Sequence, residues 1–376
     1  KYDEALPDFD EALRILREQR ADGLDTALAY HRRALVLSEM DRHEEAIADH
    51  KVAIAIQQAR LPGDDQRLLL SYGALGTAYT RARRLDEALS WQERALELVR
   101  KRYGDGHLET ARRLSNYGNS LMAAGRAPDA LAPMAEAAST MRRIFHEPHS
   151  EVAWTTHNHG SVLLALGRIE EAERLYREAL EIERKIGSNR SSKICFILVK
   201  LSRIQELRGD LAGALRLADE CFAMLQESLP PGHEIRMDLE LRSMRLRLML
   251  DPSLDLTGEA AELQQRADRV GSDKLSATAL YVRGLAHAAH GDDARALPMI
   301  ERATRTMQDL PQSFPHDSLA WFATLAEVRS RMGDAVGAER ARRDALAYAA
   351  KWHVPRDHPA LAALRSAAIP ASGNRR

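Results

Sequence analysis

Five histidines recur at nearly regular intervals, and imidazole is a side chain that can bind a ligand or a metal. The five residues are His107, His149, His233, His316 and His358. Their spacing is about 42 residues or about twice that, which is typical of a repeated structural unit. One interpretation is a row of ligand-binding histidines. The other is a repeated turn in which a polar side chain caps free N–H groups at the start of a helix. We favour the capping turn, because each histidine precedes a predicted helix.

Other candidate chemistry is sparse. His287 and His290 lie three residues apart on a predicted helix, and His157 and His159 lie two apart, but neither pair has an evident third ligand. The sequence contains no Gly-rich phosphate loop, kinase motif, nucleophile elbow or Cys-pair zinc spacing. We therefore expect no catalytic residues, no metal site and no cofactor, and we predict that the chain is not an enzyme.

The elements that would position any site repeat along the chain. The segments that begin at Thr110 and Val152 align with each other without a gap. Small residues coincide in this alignment: Gly118 with Gly160, Gly125 with Gly167, Ala130 with Ala172, and Ala137 with Ala179. A fixed period of this size predicts a stack of similar structural units.

Each unit should contain two helices. In the second copy, Trp154 to Leu166 is compatible with a first helix, Gly167-Arg168 with a turn, and Ile169 to Ile186 with a second helix. Gly160 lies in the middle of the first helix, where glycine costs about 1 kcal/mol relative to alanine. A close helix crossing would offset this cost, and small residues seven apart on the second helix would allow it.

The small-residue pattern predicts the domain organisation. Second-helix alanines occur at 5, 46, 88, 130, 172, 214, 296 and 338, in steps of 41 or 42 apart from one step of 82. The gap contains a segment, 233–270, that lacks the pattern and is interpreted as a degenerate unit. We predict a solenoid of about eight to nine units over 1–350 with the first unit truncated, a C-terminal capping helix over 351–369, and a disordered tail over 370–376.

Composition excludes several function classes. The 376-residue chain has a net charge of −1 with 29% charged residues, so nothing global indicates binding to nucleic acid or to an anionic membrane. No apolar run reaches the ~20 residues that span a bilayer. The two cysteines, Cys195 and Cys221, suit reduced core thiols in the cytoplasm better than a disulfide, although a disulfide stays open. We therefore expect a cytoplasmic protein.

The repeat resembles the tetratricopeptide repeat family. Tyr72, Leu75-Gly76, Tyr79, Ala88 and Ala95 match the family pattern in one copy, and Leu163, Gly167, Ala172, Tyr176 and Ala179 match it in another. The 42-residue period resembles the kinesin light chain variety, as does the linker sequence Arg356-Asp357-His358-Pro359. The resemblance implies an all-α, right-handed superhelical solenoid of antiparallel helix pairs, whose first helices line a concave groove that binds a peptide or partner protein.

The resemblance also implies candidate groove residues. Several relatives hold a peptide backbone with asparagines on the first helices, and Asn116 and Asn158 match that position. Further candidates on the same face are an amide, four basic side chains and two aromatic ones: Asn119, Arg112, His157, Lys200, Arg203, Trp154 and Phe196. The alternative is that the amides only bond neighbouring helices.

Three functions follow from these patterns. The first is a protein-interaction scaffold that binds a peptide or protein partner. The second is the C-terminal sensor or regulatory region of a larger enzyme (a kinase, a nucleotide-binding ATPase or a protease), because the chain starts inside a predicted unit and bacterial proteins with similar repeats often join them to such domains. The third is a self-assembling scaffold, because an uncapped first helix exposes apolar surface.

Overall fold

The fold was analysed in a computed structural model that describes residues 2–19, 23–187, 192–226, 229–310 and 316–352, together with 354–356, 358, 361 and 364. These residues form α-helices joined by short turns, and no β-strand occurs among them. The helices are, in chain order, α1 Tyr2–Glu18, α2 Leu24–Glu39, α3 His43–Arg60, α4 Gln66–Arg81, α5 Leu85–Tyr103, α6 Leu108–Ala123, α7 Ala127–Ile144, α8 Ser150–Ala165, α9 Ile169–Lys185, α10 Ser192–Leu207, α11 Leu211–Leu225, α12 Glu234–Leu250, α13 Thr257–Val270, α14 Asp273–Ala289, α15 Asp293–Asp309, α16 His316–Arg331 and α17 Ala335–Lys351.

Helices with even numbers are the first helices of the predicted pairs, and the following odd-numbered helices are their partners. Each first helix packs against its partner, and within a unit the partner packs against the next first helix. The helices form two compact units, residues 1–146 and residues 147–376, which we call unit 1 and unit 2. The prediction of an all-α solenoid built from helix pairs is confirmed.

The turns within the pairs need a left-handed residue. Gly125 and Gly167 have φ values of 72° and 73°, which glycine adopts at no steric cost. In the two preceding pairs Asp41 and Arg83 occupy the same place, with φ values of 58° and 61°. After Gly167 the Arg168 N–H donates to the Leu163 carbonyl at 2.9 Å, which satisfies a free carbonyl at the helix end.

The glycine in the middle of the first helix marks a close crossing, as predicted. A Cβ atom at Gly160 would lie 3.2 Å from Cε1 of Tyr176 and 3.4 Å from the carbonyl oxygen of Ala172. Ala172 and Ala179 are fully buried on the facing side of α9. The small side chains therefore set the distance between the two helices of the pair.

Replacing this glycine should destabilise unit 2. We expect Gly160→Leu to lower the free energy of unfolding by about 1–3 kcal/mol, because overpacking forces the backbone or Tyr176 to move. Denaturant unfolding followed by circular dichroism measures the change. Gly63→Leu is the matched control, since Gly63 is exposed and a Cβ placed there would have no described atom within 4 Å. Equal stability of the Gly160 variant and the wild type would contradict the crossing.

The segment 233–270 departs from the prediction in one respect. It contains α12 and α13, and Ala260 and Ala267 of α13 lie seven residues apart and are fully buried. The expectation that this segment lacks the small-residue pattern is therefore wrong for its second helix. The difference lies in α12, where Met244 and Leu248 are buried in the same apolar cluster as the two alanines. Longer side chains on the first helix replace the glycine crossing there.

The capping role predicted for the histidines is confirmed at three positions. Nδ1 of His107 accepts a hydrogen bond from the backbone N–H of Glu109 at 3.2 Å, and His149 does the same with Glu151. Nδ1 of His233 accepts from the N–H two residues later at 3.3 Å. Each side chain satisfies one free donor at the start of a first helix. The side chain of His316 lies outside the described residues.

His358 has a different role. It is 1% exposed, and its Nε2 lies 3.3 Å from the carbonyl oxygen of Leu164, near the end of α8. Its Cδ2 lies 3.1 Å from the place where a Cβ would stand on Gly167. The glycine at this turn therefore also lets a residue from beyond α17 approach α8 within unit 2.

The cysteines correct a second prediction. Cys195 on α10 and Cys221 on α11 form a disulfide, with their Cα atoms 4.9 Å apart, a separation within the range that a disulfide requires. Cys221 occupies the small-residue position that alanine holds in other second helices, and it therefore faces α10 at the close crossing. The sequence analysis preferred two reduced thiols and left a disulfide open, and the structure pairs the two cysteines.

The chain beyond α17 is described only in part. Val354, Leu361 and Leu364 are buried in a cluster with Phe322 of α16 and Tyr348 of α17. The other residues of the predicted capping helix lie outside the described part of the chain. The predicted disordered tail, 370–376, lies outside it as well. Among the described helices none is long and apolar enough to cross a membrane.

Candidate partner-binding faces

The first helices of unit 1 line a cavity of about 340 Å³. Residues of α2, α4 and α6 contribute most of its wall, with one residue from α3, and they are His31, Leu35, Ser38, Glu39, His50, Leu70, Gly73, Ala74, Thr77, Ala78, Arg81, Arg113 and Asn116. The predicted site residue Asn116 lies in this wall. Asn119 is exposed, and Arg112 is half-exposed and pairs with Glu109 at 2.6 Å. Of the three candidates on α6, only Asn116 reaches the cavity.

Unit 2 places three of the predicted site residues side by side. Trp154 stacks on His157 with ring centroids 5.2 Å apart, and its edge meets Phe196 of α10 at 6.3 Å. Trp154 and Phe196 are 37% and 41% exposed, which is high for large aromatic side chains. We call these three residues the aromatic patch.

His157 forms the buried base of the aromatic patch. It is packed under Trp154 and against Tyr176, and its Nδ1 has no hydrogen-bond partner among the described residues. Burial, and to a smaller extent the charge of Lys200, lower the pKa of His157 to about 3. The imidazole is therefore neutral near pH 7. Asn158 is buried as well and has a partner within the protein.

One further basic candidate of unit 2, Arg203, belongs to a larger charged group. Arg203 lies near Glu206 and Arg242 and influences the pKa of both. The two guanidinium nitrogens of Arg245 donate to the two carboxylate oxygens of Glu206, each at 2.7 Å. We call these four residues the arginine cluster. Three arginines lie around Glu206, and the carboxylate of Asp238 also acts on Arg242.

Burial and the neighbouring charges shift the pKa values of Glu206 and Arg242. Burial alone would raise the pKa of Glu206, but Arg245 and Arg242 outweigh it and lower the pKa to about 2. Burial lowers the pKa of the Arg242 guanidinium, and its Nε has no hydrogen-bond partner among the described residues. The nearest carboxylate oxygen on Glu206 is 3.5 Å from its Nη1.

The sequence analysis missed Glu206, Arg242 and Arg245. A usable signal was present, since arginine alternates with leucine and methionine along α12. Arginines on an apolar helix must find partners, because an unpaired buried charge is costly. The partner is Glu206 on α10, 36 residues before Arg242. The sequence alone does not show that these two side chains meet in the folded chain. No group of three potential metal ligands is placed to hold an ion in the described part of the chain.

Comparison with known sequence families decides the family. The sequence pattern of the tetratricopeptide repeat matches residues 1–59, 67–143 and 151–227, which together make up more than half of the chain. The chain belongs to the tetratricopeptide repeat family. The three matched ranges lie in both units, and the resemblance based on the glycine and alanine pattern is confirmed. Among curated proteins, none matches this sequence.

Two solved structures share the fold over nearly the whole chain. A Rap protein complexed with Competence and Sporulation Factor is 10% identical, with a TM-score of 0.61, and the match covers 94% of this chain and 98% of that one. The Rap conjugation gene regulator of plasmid pLS20, solved in complex with the Phr* peptide, is 14% identical with a TM-score of 0.61, over 94% of this chain and 96% of that one.

A third solved structure belongs to a longer protein. It is a Signal Transduction ATPase with Numerous Domains from Pyrococcus horikoshii that has a tetratricopeptide repeat sensor. The identity is 16% and the TM-score is 0.52, over 77% of this chain and 42% of that one. At these identities the similarity shows the fold alone.

Proposed function

We propose that this chain is a non-catalytic interaction scaffold that binds a peptide or a partner protein on its first helices. The observation that carries the proposal is the aromatic patch of unit 2, where Trp154 and Phe196 remain exposed beside each other. Exposed neighbouring aromatic side chains are typical of interaction sites, because they bury large areas at low entropic cost. The arginine cluster lies on α10 and α12, which are first helices of the same unit.

The comparisons support this proposal by analogy. A Rap regulator with the same fold was solved with a bound peptide, and the match covers nearly all of both chains. The family also includes repeat regions that act as sensors, as in the ATPase from Pyrococcus horikoshii. Both findings are consistent with a regulatory or interaction role for the present chain.

Partner capture with matched variants tests the proposal. The purified chain is used as bait in a lysate of its source organism, and captured proteins and peptides are identified by mass spectrometry and then titrated in purified form. We expect the double variant Trp154→Ala/Phe196→Ala to weaken binding of that partner at least tenfold, because buried aromatic contacts at an interface contribute about 1 kcal/mol or more each. The melting temperature should fall to some extent, because Trp154 also packs on His157, so circular dichroism verifies that the variant is folded at the temperature of the binding measurement.

The control variant changes exposed apolar residues on a second helix of the same unit, away from the first helices that carry the aromatic patch. Val336 and Leu346 lie on α17, a second helix, and are 73% and 49% exposed. Val336→Ala/Leu346→Ala should leave binding unchanged. Full affinity in the aromatic variant, or loss of affinity only in the control, would place the partner elsewhere on the protein.

A second candidate function is the sensor region of a larger enzyme. The observation that favours it is the match to the ATPase from Pyrococcus horikoshii, in which the aligned part is 42% of the chain. The complete coding sequence tests it: a catalytic domain in the same reading frame supports the sensor role, and its absence contradicts it. The cytoplasmic location stays a prediction, and the disulfide weakens it, because such bonds are rare in reducing compartments.

A further inference from the structure

A cleft of about 700 Å³ lies between the second helices α9 and α11 of unit 2. Its lining consists of four leucines and five charged side chains, and the leucines are Leu180, Leu198, Leu201 and Leu217. This volume is within the range of about 300–1,000 Å³ that is typical of small-molecule sites. We call this site the second-helix cleft.

The second-helix cleft is separate from the aromatic patch. Leu198 and Leu201 of α10 belong to its lining, and they follow Phe196 by two and five residues. At about 100° per residue, these intervals place both leucines on the side of α10 opposite to Phe196. A ligand in the cleft therefore leaves the aromatic patch accessible, and the cleft is not part of the function proposed above.

The base of the second-helix cleft is apolar. Leu180, Leu198 and Leu201 are buried, and Leu217 is half-buried. The five charged side chains of the lining are exposed around them. A ligand that reaches the leucines must therefore have an apolar body, because burying a polar group there without a hydrogen bond is unfavourable.

An ion pair between the two walls limits the width of the ligand. Nη2 of Arg184 on α9 donates to Oε1 of Glu220 on α11 at 2.9 Å. A helix with its side chains is about 10–12 Å wide, and it could not approach the leucines without breaking this pair. An unbranched alkyl chain is much narrower and can lie on the leucines beside the pair. The cleft is therefore better suited to an alkyl chain than to a helix of a partner protein.

Cations outnumber carboxylates in the lining of the second-helix cleft. The cations are Arg177, Arg184 and Lys185, and the carboxylates are Glu181 and Glu220. Arg184 pairs with Glu220 across the cleft, and Lys185 pairs with Glu181 at 2.7 Å. The lining therefore has one cation more than it has carboxylates.

The partner of Arg177 lies outside the lining. It is Glu173 at 2.5 Å, a buried carboxylate that also pairs with Arg208 at 2.6 Å. Arg208 lies 3.7 Å from Glu170 as well. The side chain of Arg177 is 64% exposed, so its guanidinium has N–H donors left for the head group of a ligand. A single carboxylate on the ligand matches the one additional cation of the lining.

The next cleft along unit 2 has the opposite balance. It lies between α11 and α13, has a volume of about 300 Å³, and includes Met244 and Leu263 in its lining. Its charged lining residues are three glutamates and two arginines, namely Glu240, Glu259, Glu262, Arg247 and Arg266. An anionic ligand that selects by charge should therefore favour the second-helix cleft, and this neighbouring cleft serves as a reference within the same chain.

We propose that the second-helix cleft binds a medium-chain fatty acid, with its alkyl chain on the four leucines and its carboxylate at Arg177 and Lys185. The alkyl chain supplies the narrow apolar body that the pair of Arg184 and Glu220 admits. The carboxylate supplies the single negative charge that balances the lining. The walls of this site belong to second helices, so the proposal does not depend on partner binding by the first helices.

Amphiphiles of known charge and length test the site in the full chain. The probes are octanoate, decanoate and decylammonium, each kept below its micelle-forming concentration. Binding is followed by NMR through the methyl signals of the four leucines and through those of Met244 and Leu263 in the reference cleft. We expect decanoate to perturb the four leucines first and to bind about tenfold more tightly than octanoate, because each buried methylene strengthens binding about fourfold. Decylammonium should bind there at least about threefold more weakly than decanoate, because its head group meets cations.

Two variants assign binding to the second-helix cleft. Leu217→Trp places an indole in the cleft from a half-buried position and should weaken decanoate binding at least about tenfold. Arg177→Gln/Lys185→Gln leaves one cation and two carboxylates in the lining and should abolish the preference for decanoate over decylammonium. Arg302→Gln/Arg305→Gln is the matched control, because it removes the same charge from exposed positions on α15 of the same unit and should keep the preference. Circular dichroism verifies that each variant is folded, so that a fold defect in one leaves the other decisive.

Equal perturbation of the methyl signals in the two clefts by decanoate, or equal affinity for decanoate and decylammonium, overturns the fatty-acid site. Full affinity in folded Leu217→Trp, or an unchanged preference in folded Arg177→Gln/Lys185→Gln, overturns it too. Loss of the preference in the control has the same meaning, because the effect would then be one of overall charge. A protein partner that is lost from Leu217→Trp, together with no binding of decanoate to the wild type, would identify a partner helix as the occupant and overturn the proposal.

Discussion

Lowering the pH from 7.5 to 5.0 should destabilise each unit by about 2 kcal/mol through one buried histidine. Burial lowers the pKa of His157 in unit 2 to about 3, and burial together with His31 lowers the pKa of His50 in unit 1 to about 3. In the unfolded chain a histidine titrates near 6.5. Between these values the unfolded state binds the proton and the folded state does not, so stability is complete above about pH 6.5 and is lost as the pH falls towards 3.

The size follows from the pH interval. At pH 5.0 the unfolded histidine lies about 1.5 pH units below its pKa, and each pH unit corresponds to about 1.4 kcal/mol. Each carboxylate whose pKa is lowered in the folded state, such as Glu206, contributes much less than a histidine in this window, because its unfolded form titrates at about 4.3, below the end of the window. The histidines are therefore the largest single contributions, and the variants separate them from the carboxylates.

Denaturant unfolding at a series of pH values measures this effect, with hydrogen exchange to report on the units separately. His157→Gln should remove the histidine contribution of unit 2 and leave that of unit 1. His50→Gln should remove the larger part of the contribution of unit 1 and leave a remainder from His31, whose pKa burial also lowers. His146→Gln replaces an exposed histidine and should keep the whole dependence. An unchanged free energy of unfolding between pH 7.5 and 5.0 would show that these imidazoles are not held neutral by burial.

The regular part of the fold could be predicted because small residues encode it directly. Gly160 and Ala172 each have a counterpart 42 residues earlier in the chain. Two helices that cross with no side chain between their backbones require glycine or alanine at these positions. The capping histidines were predictable for a similar reason, because a cap depends only on the next two residues of the chain. Local and periodic signals of this kind need no knowledge of which distant helices meet.

The sites were less predictable, because they depend on side chains from several helices. Trp154 and Phe196 were placed on one face from the repeat register, and the structure brings them together. The cavity around Arg113 was missed, because Gly73 lies on an earlier first helix and only the folded chain brings the guanidinium over it. The disulfide was missed for the same reason, since the spacing of two cysteines does not fix the distance between their sulfur atoms.

Reduction of the disulfide should lower the free energy of unfolding of unit 2 by about 3.5 kcal/mol. Cys195 and Cys221 are 26 residues apart in sequence and join α10 to α11. Closing a loop of this length removes conformational entropy from the unfolded chain, and the loop-closure relation gives an effect of this size. The folded pair of helices changes little, because Cys221 stands where alanine packs in other second helices.

Denaturant unfolding with and without a reductant measures the difference, and titration of thiols in the unreduced protein after unfolding shows whether the bond is present, because both cysteines are buried in the folded chain. The matched control is Cys195→Ala/Cys221→Ala, which keeps small side chains at both places and should not respond to the reductant. We expect the oxidised wild type to unfold at higher denaturant concentration than both the reduced wild type and the double variant. Two reactive thiols per chain in the unreduced protein, or identical unfolding curves in the two redox states, would mean that α10 and α11 are held together by packing alone.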